Sequence, residues 1–253
     1  MTGAAAEPND PRPGIARQAI NSAILIARRI RVVSYQNSGR TWLRVMLSDL
    51  GVKAKFTHAG AAYRYRFGPD AVGSNIDNYR HRRIVLLVRD PFDAIVSNYF
   101  QATMTDGVFQ GDLKSFLRDP QWGLARLLAF NAAWYTARDR FRDFHLVHYE
   151  TMVEQTVAEL ERVVRFMGLP SIDRDAIAAS AERNRFDAMK RREVAGELYE
   201  RFGDRFSPGG KPTTEGLKVR RGKIGGYRDY LDDGDIAFAR NLIRSSNYPL
   251  SFE

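Results

Sequence analysis

Two segments of the chain each combine a buried strand, a polar turn and the start of a helix. Residues 32–43 read VVSYQNSGRTWL and residues 84–97 read IVLLVRDPFDAIVS. The first turn offers hydroxyls, backbone N–H groups and a cation at a helix N-terminus, where the helix dipole favours an anion. The second segment places Arg89 at a strand end and Ser97 inside the following helix. Together they predict a pocket that holds a nucleotide by two separate phosphate groups.

Strands and helices alternate along the chain, which predicts a mainly parallel central sheet with right-handed crossovers, flanked by helices, in one α/β domain. Continuous apolar runs such as 84–88 are typical of strands that are covered on both faces. The predicted strands are Ile30–Tyr35, Lys53–His58, Ile84–Val88 and Phe144–Tyr149. The predicted helices are Thr41–Leu50, Asp93–Phe100, Leu113–Leu117, Gly123–Arg140, Val153–Met167, Asp173–Arg183 and Asp235–Ser245, with a further short helix over 15–29.

Length, charge and cysteine content narrow the classes of protein that fit. The 253 residues carry a net charge of +9, which suits anionic ligands, and contain no cysteine. Disulfides, thiolate zinc sites and cysteine nucleophiles are therefore excluded. No apolar run reaches the length of a membrane span, and a cytoplasmic protein is expected. We predict a flexible N-terminus over 1–14, a single domain over 15–253 and, within it, a charged, glycine-rich mobile lid over about 190–226.

The two strand–turn–helix segments resemble motifs of the PAPS-dependent sulfotransferases. Residues 35–42 resemble the 5′-phosphosulfate loop, Tyr-Pro-Lys-Ser-Gly-Thr-Thr-Trp, and residues 89–97 keep the spacing of the 3′-phosphate segment, Arg-[Asn/Asp]-Pro-x-Asp-x-x-x-Ser. The family transfers a sulfuryl group from 3′-phosphoadenosine 5′-phosphosulfate (PAPS) to a hydroxyl or amine and releases 3′-phosphoadenosine 5′-phosphate (PAP). The resemblance implies a P-loop-like phosphosulfate-binding turn and no required metal.

Further short matches extend the resemblance along the chain. They imply that PAPS is bound by Ser38, Gly39, Arg40, Thr41, Trp42, Arg89, Ser97, Tyr149, Phe186, Arg220, Arg221 and Gly222. The aromatic members would face the adenine, and the loop around 220–227 would close over the 3′-phosphate. Trp42 and Tyr149 are equally explained as core residues. Asp90 and Asp93 are interpreted as turn and helix-capping residues.

The expected catalytic residues depart from the family pattern. His58 resembles the family's base, and a histidine, whose pKa is ordinarily near neutral, suits proton transfer. The alternative is that His58 is a loop histidine with no role. The family's loop lysine aligns with Asn37, whereas sulfuryl transfer builds negative charge that needs a cation. Our hypothesis is that Arg40, in the same turn, supplies this charge. The candidate catalytic set is therefore His58, Arg40 and Asn37; Lys53, Lys55 and Lys223 are other possible cations.

Other functions remain open on sequence grounds. Asn37 also fits a non-catalytic or weakly active PAPS- or PAP-binding protein of the same fold. The turn is not a Walker A loop, which argues against a P-loop kinase or NTPase. No nucleic-acid-binding motif accompanies the basic charge. The acceptor is expected to be a small molecule or carbohydrate, in a pocket shaped by residues 60–79 and 100–123. Tyr63, Tyr65 and Phe67 would line an aromatic site or stack on a sugar, with a packing role as the equal alternative, and Arg64 and Arg66 hint at an anionic acceptor.

Overall fold

The computed structural model describes residues 30–59, 72–73, 75–206, 217, 219 and 221–252. The expected flexible N-terminus over 1–14 and the helix over 15–29 lie outside the described residues. None of the helices in the described part has both the length and the apolar character needed to cross a bilayer.

A four-stranded, all-parallel sheet forms the centre of the described structure. Its strands are β1 (Ile30–Ser34), β2 (Lys55–Thr57), β3 (Arg83–Val88) and β4 (Asp143–His148), in the order β2-β1-β3-β4. The register pairs Val33 with Leu86 and Leu86 with Leu146. Because the strands are parallel, the carboxyl ends of β1 and β3 meet at one edge of the sheet. The predicted α/β class is confirmed.

Ten helices of six to thirteen residues are found in the described ranges. They are α1 (Arg40–Asp49), α2 (Pro91–Phe100), α3 (Leu113–Arg118), α4 (Leu124–Thr136), α5 (Tyr149–Glu154), α6 (Thr156–Phe166), α7 (Arg174–Arg183), α8 (Phe186–Val194), α9 (Glu197–Phe202) and α10 (Asp233–Ser245). Within the same described ranges, a π-helix, Gln101–Thr105, prolongs α2, and there are four short 3-10 helices, Ile76–Tyr79, Arg138–Arg140, Gly203–Phe206 and Gly226–Asp229.

Apolar side chains cover both faces of the sheet. On one face Val33 and Leu86 pack in a cluster with Phe130 and Trp134 of α4. The other face forms a second cluster, in which Val32, Val85 and Leu87 meet Leu43 and Leu47 of α1 and Leu160 and Val164 of α6. Adjacent residues of one strand enter opposite clusters, as the pleat of a strand requires. This arrangement explains why β1 and β3 are continuously apolar.

The predicted helix Val153–Met167 is wrong at its start. Its first turn belongs to α5, and the chain breaks at Gln155 (φ −128°, ψ 47°) before α6 begins. Apolar spacing alone does not mark this break, since both helices place buried residues on the same cluster.

The segment expected to be a mobile lid from about residue 190 onwards is largely helical as far as Phe206. Met189 of α8, Leu198 of α9 and Phe206 are buried together against Val45 of α1. These apolar residues are far apart in the sequence and separated by charged residues. No single helix therefore shows enough apolar repeats to be predicted from the sequence. The mobility of the segment 190–226 stays a prediction.

One buried asparagine connects the helical region after α7 to α1. The Asn184 side chain is fully buried; its Nδ2 donates to Asp49 Oδ2 at 2.7 Å, and its Oδ1 accepts from Arg192 Nη1 at 2.9 Å. Its backbone carbonyl accepts from Trp42 Nε1 at 2.6 Å. Asp49 in turn accepts from Arg201 Nη1 of α9 at 2.5 Å. Asn184 therefore connects Trp42 of α1 with Arg192 in the last turn of α8.

The electrostatics of Asp49 agree with this role. Burial raises the pKa of its carboxyl, but hydrogen bonds from Asn184 and Arg201 and the nearby positive charges outweigh burial and bring the pKa below its usual value. A lowered carboxyl pKa contributes stability above the unfolded-state pKa, which is lost as the pH falls through the folded-state pKa.

We expect Asn184→Ala to lower the free energy of unfolding by about 3 kcal/mol, because it leaves several buried polar partners without a hydrogen bond. Urea denaturation at neutral pH measures this change. Asn78→Ala, at an exposed asparagine, is the matched control and should stay within about 0.5 kcal/mol of the parent. Equal effects of the two substitutions would contradict the role of Asn184.

Candidate active site

A cleft of about 1260 Å³ opens beside the carboxyl ends of β1 and β3. Most residues that the sequence proposed for binding or catalysis line it: Asn37, Gly39, Arg40, Thr41, Trp42, His58, Arg89, Ser97, Tyr149, Phe186, Arg221 and Gly222. Ser38 lies in the first turn but is buried and does not line the cleft. Arg220 lies outside the described residues. Residues separated by up to 185 positions thus meet in one place.

The turn between β1 and α1 is shaped by a glycine. Gly39 precedes α1 with φ 91°, and a Cβ atom at this position would lie 2.5 Å from Cδ2 of Tyr149. No side chain caps the N-terminus of α1. The first N–H groups of a helix have no partner inside the helix, and they favour an anion. The turn is therefore suited to a phosphate or phosphosulfate group.

Asn37 joins the first turn to α2. It adopts a left-handed conformation (φ 58°), which asparagine tolerates better than most residues. Its Nδ2 donates to Oδ1 of the buried Asn98 at 2.8 Å, and its carbonyl accepts from Arg89 Nη1 at 3.1 Å. The residue at the position of the family's lysine is thus a structural link as well as part of the cleft lining.

Arg89 contacts both strand–turn–helix segments, through Asn37 of the first and Ser97 of the second. Its Nη1 also donates to Ser97 Oγ at 3.2 Å, and its guanidinium carbon lies 4.5 Å from the centroid of the Tyr149 ring. Its Nε is buried and has no hydrogen-bond partner among the described residues. An unpartnered buried N–H of a cation is costly unless a ligand accepts from it. Arg89 and Ser97 therefore have the geometry of an anion site.

Two carboxylates support the start of α2. Asp90 caps the helix by accepting from the N–H groups of Phe92 (2.7 Å) and Asp93 (3.2 Å), which confirms its predicted role. The Asp90 N–H donates to Glu150 Oε1 at 2.9 Å. Burial raises the pKa of both carboxyls. Glu150 was missed from the sequence, because its partner is 60 residues away.

Three aromatic residues, Trp42, Tyr149 and Phe186, line the cleft. The rings of Trp42 and Tyr149 pack edge to face, with centroids 6.2 Å apart. Burial raises the pKa of the Tyr149 hydroxyl. The ring of Phe186 lies directly against Gly222 (φ 62°), leaving no room for a Cβ atom there. A planar ring such as a nucleobase is the kind of group that these aromatic faces can take.

A pair formed by Arg40 and His58 lines the cleft near the first turn. His58 Nδ1 lies 3.0 Å from the carbonyl oxygen of Ser34, and because a carbonyl only accepts, Nδ1 carries the proton. Nε2 then presents a lone pair, to which Arg40 Nη2 donates. The two predicted catalytic side chains are in direct contact.

The part of the cleft where the sequence predicts the acceptor pocket is described in part. Phe100, Gln101, Thr105 and Asp106 line it from the end of α2 and the π-helix, a helix type that is frequent at functional sites. Tyr63, Arg64, Tyr65, Arg66 and Phe67 lie outside the described residues. No group of three or more carboxylate or imidazole side chains able to hold a metal ion occurs within the described ranges.

Comparisons with known proteins identify the family of this chain. A family model described as a sulfotransferase domain matches residues 79–248, which include Arg89, Ser97 and the loop around 220–227. A search of curated proteins found no match. Among solved structures, a mouse sulfotransferase, SULT7A1, complexed with PAP is similar, with a TM-score of 0.66 and 17% identity over 91% of this chain and 90% of that one.

Another similar structure is a retinol dehydratase in complex with androsterone and the inactive cofactor PAP. It has a TM-score of 0.61 and 15% identity, covering 94% of this chain and 87% of that chain. At these identities the two structures show a shared fold, whereas the family model spans about two thirds of the chain. The family resemblance expected from the sequence is confirmed, and the chain belongs to the sulfotransferase family.

Proposed function

We propose that this protein transfers a sulfuryl group from PAPS to a hydroxyl or amine of a small-molecule or carbohydrate acceptor. The observation that carries the proposal is the contact of Arg89 with both Ser97 and the first turn, inside one cleft. Two anion sites joined by aromatic faces suit a nucleotide with one phosphate group on the 3′ side and one on the 5′ side. The similar structures were both solved with PAP.

The residues present fit such a nucleotide. The buried Nε of Arg89 lacks a partner among the described residues, and a 3′-phosphate would accept from it. At the other end, the glycine turn and the uncapped N-terminus of α1 would hold the 5′-phosphosulfate. Trp42, Tyr149 and Phe186 would bind the adenine between these two ends. Arg221 and Gly222 line the same cleft.

The chemistry places negative charge near the first turn. PAPS supplies the sulfuryl group, whose bond to the 5′-phosphate oxygen breaks while the acceptor oxygen or nitrogen bonds to sulfur, which leaves PAP. A cation held at the turn stabilises the charge that develops on the leaving oxygen. Arg40 is a cation of this turn, and it lines the cleft. Arg40 therefore takes the role that a lysine has in the family pattern.

His58 is the proposed base, but its Nε2 atom can accept a proton only when Arg40 no longer donates a hydrogen bond to it. A base takes the acceptor proton with the lone pair on Nε2, which receives the hydrogen bond from Arg40. An anion bound at the turn competes with the imidazole for the guanidinium, because a charged acceptor forms the stronger hydrogen bond. Binding of the donor would thus free Nε2 to accept a proton.

A second function rests on Asn37. Its side chain is bonded to Asn98 and carries no charge, so the turn lacks the lysine of the family pattern. If Arg40 does not replace that charge, the protein would bind PAPS or PAP without efficient transfer. A sulfation assay with labelled PAPS and a panel of phenol, alcohol, amine and sugar acceptors separates the two functions.

We expect PAP to bind at least about tenfold more tightly than ADP, which lacks the 3′-phosphate, because only PAP uses the Arg89–Ser97 site. Isothermal calorimetry on the full chain measures both. Arg89→Ala should remove most of this preference, whereas Arg82→Ala, outside the cleft lining, should keep it. Equal affinities of the parent protein for PAP and ADP would contradict the proposed function.

We expect Arg40→Ala to lower kcat for sulfuryl transfer by about a hundredfold, because it removes a cation that acts on developing charge. Arg40→Lys should restore part of the rate. The dissociation constant for PAP should change much less than kcat in both variants. An unchanged kcat in Arg40→Ala would show that another group supplies the charge.

We expect Gly39→Ala to weaken PAP binding about tenfold or more, because the new methyl group overlaps the Tyr149 ring and the left-handed φ costs about 1 kcal/mol for alanine. Calorimetry with PAP gives the loss. Gly51→Ala is a matched control at another left-handed glycine (φ 70°) with open space around it. It should carry the conformational cost while leaving PAP affinity intact, and a loss of affinity in both variants would contradict the role of the turn.

A further inference from the structure

One buried carboxylate holds the loop that precedes the last 3-10 helix. Asp93, in the first turn of α2, is 3% exposed. Its Oδ2 accepts from the Gly225 N–H at 2.7 Å, and its Oδ1 accepts from the Tyr227 N–H at 2.9 Å. Both oxygens thus bind backbone groups more than 130 residues away in the chain. Asp93 does not cap its own helix, contrary to the prediction from the sequence.

The two hydrogen bonds are strong for a physical reason. A buried carboxylate is costly without donors, and N–H···O bonds to an ionised acceptor are about twice as strong as neutral ones. Its place in the first turn of α2 also suits a negative charge, because the helix dipole is positive there. The carboxylate and the loop therefore stabilise each other.

Side-chain packing reinforces the same attachment. The rings of Phe92 and Tyr227 stack with centroids 4.7 Å apart and an interplanar angle of 28°. Tyr227 is buried. Phe92 thus packs on the ring of Tyr227, and the adjacent Asp93 accepts a hydrogen bond from the Tyr227 N–H.

The attached loop carries groups that face the cleft. Arg221, Gly222 and Lys223 line the cleft, and Gly222 lies against the ring of Phe186. Asp229 accepts from both Arg221 Nη1 (3.0 Å) and Lys223 Nζ (3.1 Å), which keeps the two cations on one side of the loop. We name residues 221–227 the closing loop.

The anchor and the anion site share one helix. Ser97 follows Asp93 by four residues, and residues four apart lie on the same face of a helix. Arg89 precedes Asp93 by four residues at the end of β3. The spacing between the closing loop and the Arg89–Ser97 site is therefore set through α2.

We propose that Asp93 is a positioning residue that fixes the closing loop over the 3′-phosphate site. The inference rests on the proposed function for the identity of the ligand, and on the geometry for the anchor itself. Asp93 also lines the cleft, but both of its oxygens accept from loop N–H groups, so it acts through Arg221 and Gly222. Its loss should reduce recognition of the 3′-phosphate more than recognition of the rest of the nucleotide.

The test compares Asp93→Asn with the parent protein in binding PAP and ADP by calorimetry. Asparagine keeps the shape but has only one accepting oxygen, so one N–H of the loop loses its partner. We expect the affinity for PAP to fall about ten- to a hundredfold, and that for ADP less than about threefold. In the transfer assay the KM for PAPS should rise more than kcat falls. An unchanged ratio of PAP to ADP affinity in a folded Asp93→Asn protein would overturn the proposal.

Asp235→Asn is the matched control. Asp235 is another buried aspartate, paired with Arg118 Nη1 at 2.7 Å at the start of α10 and absent from the cleft lining. It should lower the melting temperature without changing the ratio of PAP to ADP affinity. A similar change of the ratio in both variants would also overturn the proposal, because general destabilisation would then explain it.

A second measurement separates the anchor from the proposed function. Trypsin cleaves after Arg221, Lys223 and Arg228, and an anchored loop resists cleavage. Without any nucleotide, Asp93→Asn should be cut at these sites at least about tenfold faster than the parent protein and Asp235→Asn. If the parent does not prefer PAP over ADP, the proposed function fails while this result still supports the anchor. Equal cleavage rates would overturn the anchor whatever the ligand.

If Asp93→Asn does not fold, Phe92→Leu, which removes only the ring stack, takes its place under the same criteria.

Discussion

The guanidinium of Arg89 is the interaction on which the site depends. It donates to the carbonyl of Asn37 in the first turn and to the hydroxyl of Ser97 in α2, and it lies over the ring of Tyr149. These groups follow three different strands, whose parallel alignment brings their carboxyl ends to one edge. A single cation at the end of β3 therefore connects the first turn with Ser97, the two places that we propose bind anions. Such an arrangement lets a nucleotide be recognised at both ends by one rigid framework.

The parts of the fold that were predictable from the sequence are those where local pattern and global structure agree. The apolar run of β3 and the Gly39 turn before α1 each have a short-range signature, so their type and approximate bounds could be read directly. The Arg89–Ser97 pair could be found for the same reason, since its spacing lies within one strand–turn–helix unit. The order of the segments then indicated the family, which the match over residues 79–248 confirms.

What could not be predicted depends on contacts between distant residues. Asn184 bonds to Asp49 across 135 positions, and Asp93 bonds to the backbone of Gly225 and Tyr227. Nothing in the sequence around an aspartate in a first helical turn separates a cap from an anchor, because both roles favour the same residue. The helices of 186–206 escaped notice for a related reason. Their apolar contacts with Val45 appear only once the chain is folded.

In the proposed function, the first turn departs from the family pattern by carrying its positive charge at another position. Asn37 carries no charge, and its hydrogen bond to Asn98 attaches the turn to α2. We propose that the charge is supplied three residues onward by Arg40, which contacts His58, while that imidazole contacts the Ser34 carbonyl. A guanidinium reaches further and spreads its charge more than an ammonium group does. Sulfuryl transfer requires a positive charge near the oxygen on which negative charge develops. Any cation of the turn that reaches this oxygen meets the requirement, so the residue type at position 37 is less constrained than the charge of the turn.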